Sequence, residues 1–233
     1  PVLEKNGELV KGKGFITDDL TNHGIEFIKK NKNNPFFLYM PFNTPHSPMQ
    51  VPDKYWNKFK NKDLTQKGTL SDVPDDKYSG TNSKGENHSK AALAMCENID
   101  WNVGRIIETL ESQKIIDNTI IIYLSDNGPN GHRWNGEMKG IKGSTDEGGT
   151  RSPMIISWKG NIPSGKKVST IASGIDLLPT LIDISGIKVK PKNKLDGVNL
   201  KQLIYQNDAD WQERYIYNYW RGRLSLRLSL IHI

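Results

Sequence analysis

The sequence predicts an α/β fold built on a mostly parallel sheet with helices on both faces. Three short runs, PFFLYM (35–40), TIIIYL (119–124) and MIISW (154–158), are almost continuously apolar, as strands buried on both faces are. Between the first two lies SKAALAMCENIDWNVGRIIETLESQ (89–113), where Leu93, Cys96, Ile99, Val103, Ile106, Ile107 and Leu110 recur at three- and four-residue steps. That spacing predicts a long amphipathic helix with one apolar stripe. Strand, helix, strand in that order argues for parallel strands joined by a covering helix.

The remaining elements follow in chain order. ITDDLTNHGIEFIKKNK (16–32) predicts a helix, with Thr17 as its N-cap, Asp18 and Asp19 in the first turn and lysines closing the end. PFNTPHSPMQVP (41–52) holds four prolines and excludes regular helix or central strand. Residues 60–88 are rich in Lys, Asp, Gly and Ser and read as an exposed insertion. SDNGPNGHRWNGEMKGIKGSTDEGGTRSP (125–153) is a long glycine-rich loop, and loops of that length are usually functional or disordered. GIDLLPTLIDISGI (174–187) predicts a short helix carrying Pro179 and closing at Gly186, and ERYIYNYW (213–220) a further strand. The end, RLSLRLSLIHI (223–233), nearly repeats a four-residue unit and reads either as an edge strand or as a non-native tail. The expected organisation is one domain portion over 1–186 and the start of a small subdomain over 187–233.

Composition narrows the function. Six Trp, eight Tyr and six Phe are too many for a solvated coil. A net charge of +6 suits an anionic partner, yet no arginine-rich helix, zinc spacing or RNA-binding aromatic signature selects nucleic acid. The single cysteine, Cys96, excludes an internal disulfide, and no apolar run reaches membrane-spanning length. The start, PVLEKNGELVKGKG, has neither an initiator Met nor a signal-peptide pattern, so the expectation is a fragment of a longer protein with any targeting information upstream.

Ligands in open α/β sheets gather beyond strand carboxyl ends. Asp126 and Asn127 stand there, offering a carboxylate and an amide oxygen that suit Ca2+ or Mg2+ rather than zinc; Asp-Asn-Gly is equally a common turn. His46, stiffened by prolines in TPHSP, could serve as a general acid or be an ordinary surface histidine. Lys142, among glycines, could bind an oxyanion or be a mobile loop lysine. Glu147 and Arg151 are spaced to brace the Gly148–Gly149 turn, and His132, Arg133 and Trp134 combine charge with an aromatic face that would suit a sugar or an anion.

Together these segments resemble the sulfatase family, of alkaline phosphatase-like fold. PFFLYMPFNTPHSPMQVPDKY resembles the family's strand and histidine loop, and ENIDWNVGRIIETLE the helix before its metal strand. IIIYLSDNGP resembles the metal-binding segment, KGSTDEGGTRSPMIISWKG a second signature, and GIDLLPTLIDISGI the helix that follows. The resemblance covers residues 15–220. It implies sulfate ester hydrolysis, with Asp126 and Asn127 as calcium ligands, His46 protonating the leaving alcohol and Lys142 on a sulfate oxygen. It also implies a hydrated formylglycine nucleophile, made from a cysteine in C-x-P-S-R or C-x-A-S-R. Cys96 is followed by ENID and sits in the apolar stripe, so it reads as a core cysteine, and the nucleophile is expected upstream. A sulfated small molecule or polysaccharide is the implied substrate, and a periplasmic or extracellular location follows from the resemblance alone. A phosphodiesterase or phosphonate hydrolase of the same superfamily is the alternative within the enzyme class. A calcium-dependent carbohydrate-binding module, or a basic nucleic-acid binder, would be a different class.

Overall fold

A computed structural model describes residues 2–64, 86–131, 133–206, 211, 213–228 and 231–232. They divide into two compact units, Pro1–Thr119 with Gly131–Trp134, and Ile120–Asn130 with Asn135–Ile233. The expected boundary at 186/187 falls inside the second unit. Most of the expected insertion at 60–88 lies outside the described residues.

The first unit opens with a hairpin, β1 (Val2–Lys5) paired antiparallel to β2 (Glu8–Lys11). Asn6 and Gly7 turn it with φ of 55° and 89°, the left-handed pair that a two-residue hairpin requires. Helix α1 (Ile16–Asn31) has acids in its first turn and lysines in its last, as the sequence predicts. Its N-cap, however, is Phe15, and Thr17 lies one residue inside the helix with its hydroxyl turned to another partner. Helix α2 (Asp53–Phe59) starts after Pro52 and buries Tyr55. Helix α3 (Glu86–Ser112) is the long helix the periodicity predicts, and both α1 and α2 pack on it.

The phase of α3 differs from the apolar stripe. Its buried positions are Lys90, Ala91, Ala92, Ala94, Met95, Asn98, Ile99, Asn102, Thr109 and Leu110, while Leu93 and Cys96 face outward. Cys96 is therefore not a core cysteine. The physical reason is a polar seam. Asp18 of α1 accepts from Asn98 Nδ2 at 2.7 Å and from Asn102 Nδ2 at 2.8 Å, and both asparagines are fully buried. The two amides thus satisfy the half-buried Asp18 carboxylate from the facing helix.

Residues 35–40 were expected as a strand buried on both faces. They run without a ladder partner among the described residues, and burial alternates: Phe36, Leu38 and Met40 are half-buried, Phe37 and Tyr39 exposed. Helix α1 packs on them. Phe36 meets Phe27 edge-on at 5.8 Å, and the Met40 sulfur lies so near Gly24 that a Cβ there would approach it to 2.7 Å.

In the second unit β3 (Ile121–Leu124) pairs with β4 (Met154–Ser157), from Ile121↔Ser157 to Leu124↔Met154. The pairing is antiparallel, and the ladders among the described residues are all of that kind, because the 125–153 loop returns the chain directly beside β3. Each of these strands has one neighbour among the described residues, so Tyr123, Leu124, Met154 and Ile155 are exposed where the sequence predicts double burial. Ile156 packs inward on a cluster of Leu200, Leu203 and Ile204, the latter two from α6 (Lys201–Tyr205). Helix α4 (Glu147–Thr150) is a single turn in the loop. Helix α5 (Leu177–Ile184) tolerates Pro179 because it sits in the first turn, where its missing N–H has no intrahelical partner to lose.

Asp176 anchors this region. It is fully buried, and its carboxylate accepts from Ser173 N at 2.7 Å, Val198 N at 2.9 Å and Arg214 Nη1 at 2.7 Å. Strands β5 (Tyr215–Trp220), β6 (Arg223–Leu228) and β7 (Ile231–His232) then form a three-stranded sheet in sequence order. β6 is its central strand rather than an edge.

Candidate active site

The 125–153 loop continues the β3–β4 ladder beyond the strands. Ser125 N donates to Pro153 O at 3.2 Å, Ser152 Oγ to Ser125 O at 2.6 Å and Gly128 N to Gly149 O at 3.0 Å. Lys142 N donates to Pro129 O at 2.9 Å. The segment bearing Lys142 is thereby tied to the segment bearing Asp126 and Asn127. Gly128 makes the approach possible, since a Cβ there would lie 1.8 Å from Gly148 O.

At the end of β3 the Asp126 carboxylate has no hydrogen bond or ion pair among the described residues, and it is exposed. Asn127 Nδ2 donates to Gly128 O at 2.9 Å, which turns its amide and leaves Oδ1 to accept elsewhere. Two free oxygen donors side by side suit a hard cation such as Ca2+ or Mg2+, and nitrogen or sulfur ligands that would favour zinc are not gathered with them. Among the described residues no group of three His, Cys, Asp or Glu side chains converges on a metal position.

The loop's two lysines divide their roles. Lys139 Nζ stands 3.4 Å from Asp146 Oδ1, whereas half-buried Lys142 has no side-chain partner among the described residues. The brace expected of Glu147 and Arg151 is present at 2.7 Å, and Arg227 of β6 adds a second guanidinium to the same oxygen at 2.6 Å. Ser225 Oγ also donates to Thr145 O at 2.6 Å. Asn135 holds the loop from within by donating to Met138 O and Gly140 O at 2.8 and 3.0 Å. Sequence reasoning did not single out Asn135, because an asparagine between glycine-rich runs looks like any turn residue.

His46 belongs to the first unit and is exposed. Its Nδ1 lies 2.9 Å from Ser47 O; a carbonyl only accepts, so Nδ1 carries the proton and Nε2 is the free nitrogen. The loop is tied to α1 by a buried bond of 2.9 Å between Thr17 Oγ1 and Thr44 Oγ1. This is where the Thr17 hydroxyl goes instead of capping its helix.

Arg133 and Trp134 also lie in the first unit, and His132 is outside the described residues. Arg133 Nη2 donates to His88 Nδ1 at 3.0 Å. Burial pulls the Arg133 guanidinium below its ordinary range, and the nearby Cys96 works against that shift. Crowding around the Cys96 sulfur pushes its thiol up, with Arg133 drawing it part of the way back, although the residue keeps an open outer surface. Trp134 is 71% exposed and presents its indole to solvent.

An acid–amide pair at the end of β3 and a glycine-framed lysine thus belong to one hydrogen-bonded loop of an α/β protein. The sulfatase family profile matches residues 3–187, and the chain belongs to that family. It is 35% identical over 207 residues to the uncharacterized sulfatase YdeN of Escherichia coli, covering 86% of this chain and 33% of that protein. It is 30% identical over 215 residues to an arylsulfatase of Clostridium perfringens, covering 84% of this chain and 43% of that enzyme. The crystal structure of Ps i-CgsB in complex with k-i-k-neocarrahexaose superposes with a TM-score of 0.77 at 32% identity, covering 98% of this chain and 47% of that one. The fold is thus the alkaline phosphatase-like α/β fold of sulfatases, and the chain spans less than half the length of these relatives.

Proposed function

We propose that this chain is the carboxyl-side part of a sulfatase that hydrolyses a sulfate ester to an alcohol and inorganic sulfate, with residues 1–186 in its catalytic domain and 187–233 beginning a small subdomain that ends in an atypical tail, 223–233. The observation that carries the reading is the bonded loop: Lys142 N on Pro129 O holds an unpaired ammonium in the same framework as the unpaired oxygens of Asp126 and Asn127.

In this reading Asp126 and Asn127 hold calcium or magnesium. When bound, such an ion supplies positive charge that stabilises the charge developing on ester oxygens. Lys142 pairs with a sulfate oxygen as a point charge, the electrostatic role that usually contributes most to such catalysis. His46, oriented by its Nδ1–H bond to Ser47 O, offers Nε2 for delivering a proton to the departing alcohol. Trp134, flanked by His132 and Arg133, supplies a face for the sugar or aryl group that carries the sulfate; the open indole supports this, while Arg133 is engaged with His88.

The residues present do not fit a formylglycine. Cys96 lies inside α3 and is followed by Glu97, Asn98, Ile99 and Asp100, with none of the Pro, Ser or Arg that the precursor motif requires. The nucleophile is assigned to residues outside this chain, and no covalent step is derived from it. The basic surface and the Trp134 segment support a sulfated polysaccharide as substrate, and export to the periplasm or cell exterior follows from the family. No helix among the described residues is long and apolar enough to cross a membrane.

Binding of p-nitrophenyl sulfate to the purified chain in calcium, measured by calorimetry, tests the reading. Lys142→Ala is expected to weaken binding about tenfold, the scale of one charge-assisted contact, with no p-nitrophenol released by either protein. Equal binding by the variant, or robust turnover by the chain alone, would contradict it.

A further inference from the structure

The second unit contains five arginines, and three are committed: Arg151 and Arg227 to Glu147, Arg214 to Asp176. The other two, Arg221 and Arg223, flank Gly222 in the β5–β6 turn and have no carboxylate partner among the described residues. Trp220 pairs with Arg223 across the hairpin and is half exposed, and the Arg221 guanidinium stands 5.5 Å from its ring centroid. These three residues and Gly143 line one concavity of about 370 Å³. Gly143 is the residue immediately after Lys142, so the concavity begins one step along the loop from the proposed sulfate-binding lysine.

Two exposed guanidiniums on neighbouring turn positions repel each other unless an anion lies between them. Guanidiniums match sulfate and carboxylate oxygens with paired N–H donors, and an indole face accepts the apolar C–H face of a sugar ring. We propose that the Trp220–Arg223 turn and Gly143 form a subsite for a second anionic sugar, one residue along the polymer from the sulfate held at Lys142. The inference rests on the sulfatase reading and goes beyond it by making the substrate multiply charged and oligomeric. It also gives a role to the β5–β6 hairpin, which Ser225 and Arg227 fasten to the loop through Thr145 and Glu147.

Calorimetric titration of the 233-residue chain with a sulfated galactan hexasaccharide, its desulfated counterpart and p-nitrophenyl sulfate tests the proposal. The sulfated hexasaccharide is expected to bind about tenfold or more tighter than p-nitrophenyl sulfate, the difference that added charge-assisted contacts supply. Arg221→Ser with Arg223→Ser, and separately Trp220→Ala, should erase that advantage and leave p-nitrophenyl sulfate affinity unchanged. The tryptophan variant keeps the test available should the double variant misfold. Undiminished hexasaccharide affinity in both variants, equal binding of the desulfated sugar, or no hexasaccharide binding would overturn the subsite. If Lys142→Ala weakens p-nitrophenyl sulfate while the turn variants change nothing, the subsite falls and the sulfatase reading stands. If the turn variants lose the hexasaccharide while Lys142→Ala changes nothing, the sulfatase reading falls, and with it the placement of the subsite beside a sulfate at Lys142.

Discussion

Gly128 decides whether the two sides of the loop can meet. The 1.8 Å approach between a Cβ at this position and Gly148 O involves backbone, which cannot swing aside as a side chain can. Gly128→Ala should therefore destabilise the chain by about 1–3 kcal/mol, the usual cost of overpacking, read as a lower urea midpoint; an unchanged midpoint would show that the loop does not close as described. At this scale the sequence was informative where chemistry is local. The Glu147–Arg151 brace could be read from four-residue spacing, whereas Asp126, Asn127 and Lys142 take roles only through the resemblance of the segments around them, since Asp-Asn-Gly alone reads as a turn. What sequence could not show was which polar groups are already consumed. Lys139 and Lys142 look alike in the text, and only the ion pair to Asp146 separates them.

Elements tell a complementary story. The length and position of α3 follow from its periodicity, and Ile99 and Leu110 of the stripe are buried, but Leu93 and Cys96 face outward while Asn98 and Asn102 are buried on Asp18 of α1. Amides buried on a carboxylate belong to no hydrophobic period, so they are invisible until the partner helix is in place. Asp18→Ala should leave Asn98 Nδ2 without its acceptor and Asn102 Nδ2 with Asn98 O alone, and cost about 1–3 kcal/mol, the range for a stranded buried donor; chemical denaturation measures it, and a loss below about 0.5 kcal/mol, the scale of an ordinary surface substitution, would argue against the seam. The same logic applies to α5. Asp176→Ala strips the acceptor from Arg214 and from two backbone amides, and breaking a buried pair of this kind costs about 3–5 kcal/mol. A melting temperature near that of the parent would contradict the anchoring role.

For the whole molecule, the apolar runs at 119–124 and 154–158 contain the paired strands β3 and β4, whereas 35–40 has no ladder partner among the described residues. They overstated burial, because continuous hydrophobicity reports what a strand is built to be covered by, and among the described residues β3 and β4 have one neighbour each. Open side chains at Phe37, Tyr39, Tyr123, Leu124 and Ile155 fit a chain spanning under half the length of its relatives. In the proposed function, Asp126 and Asn127 hold a cation at the end of β3. Calorimetric titration of calcium into the purified chain and into Asp126→Ala tests it most directly. The parent should bind one calcium with measurable heat, and the variant should bind about tenfold more weakly or not at all, given one of two oxygen donors removed. Identical titrations of the two proteins would contradict the assignment of Asp126 as a metal ligand.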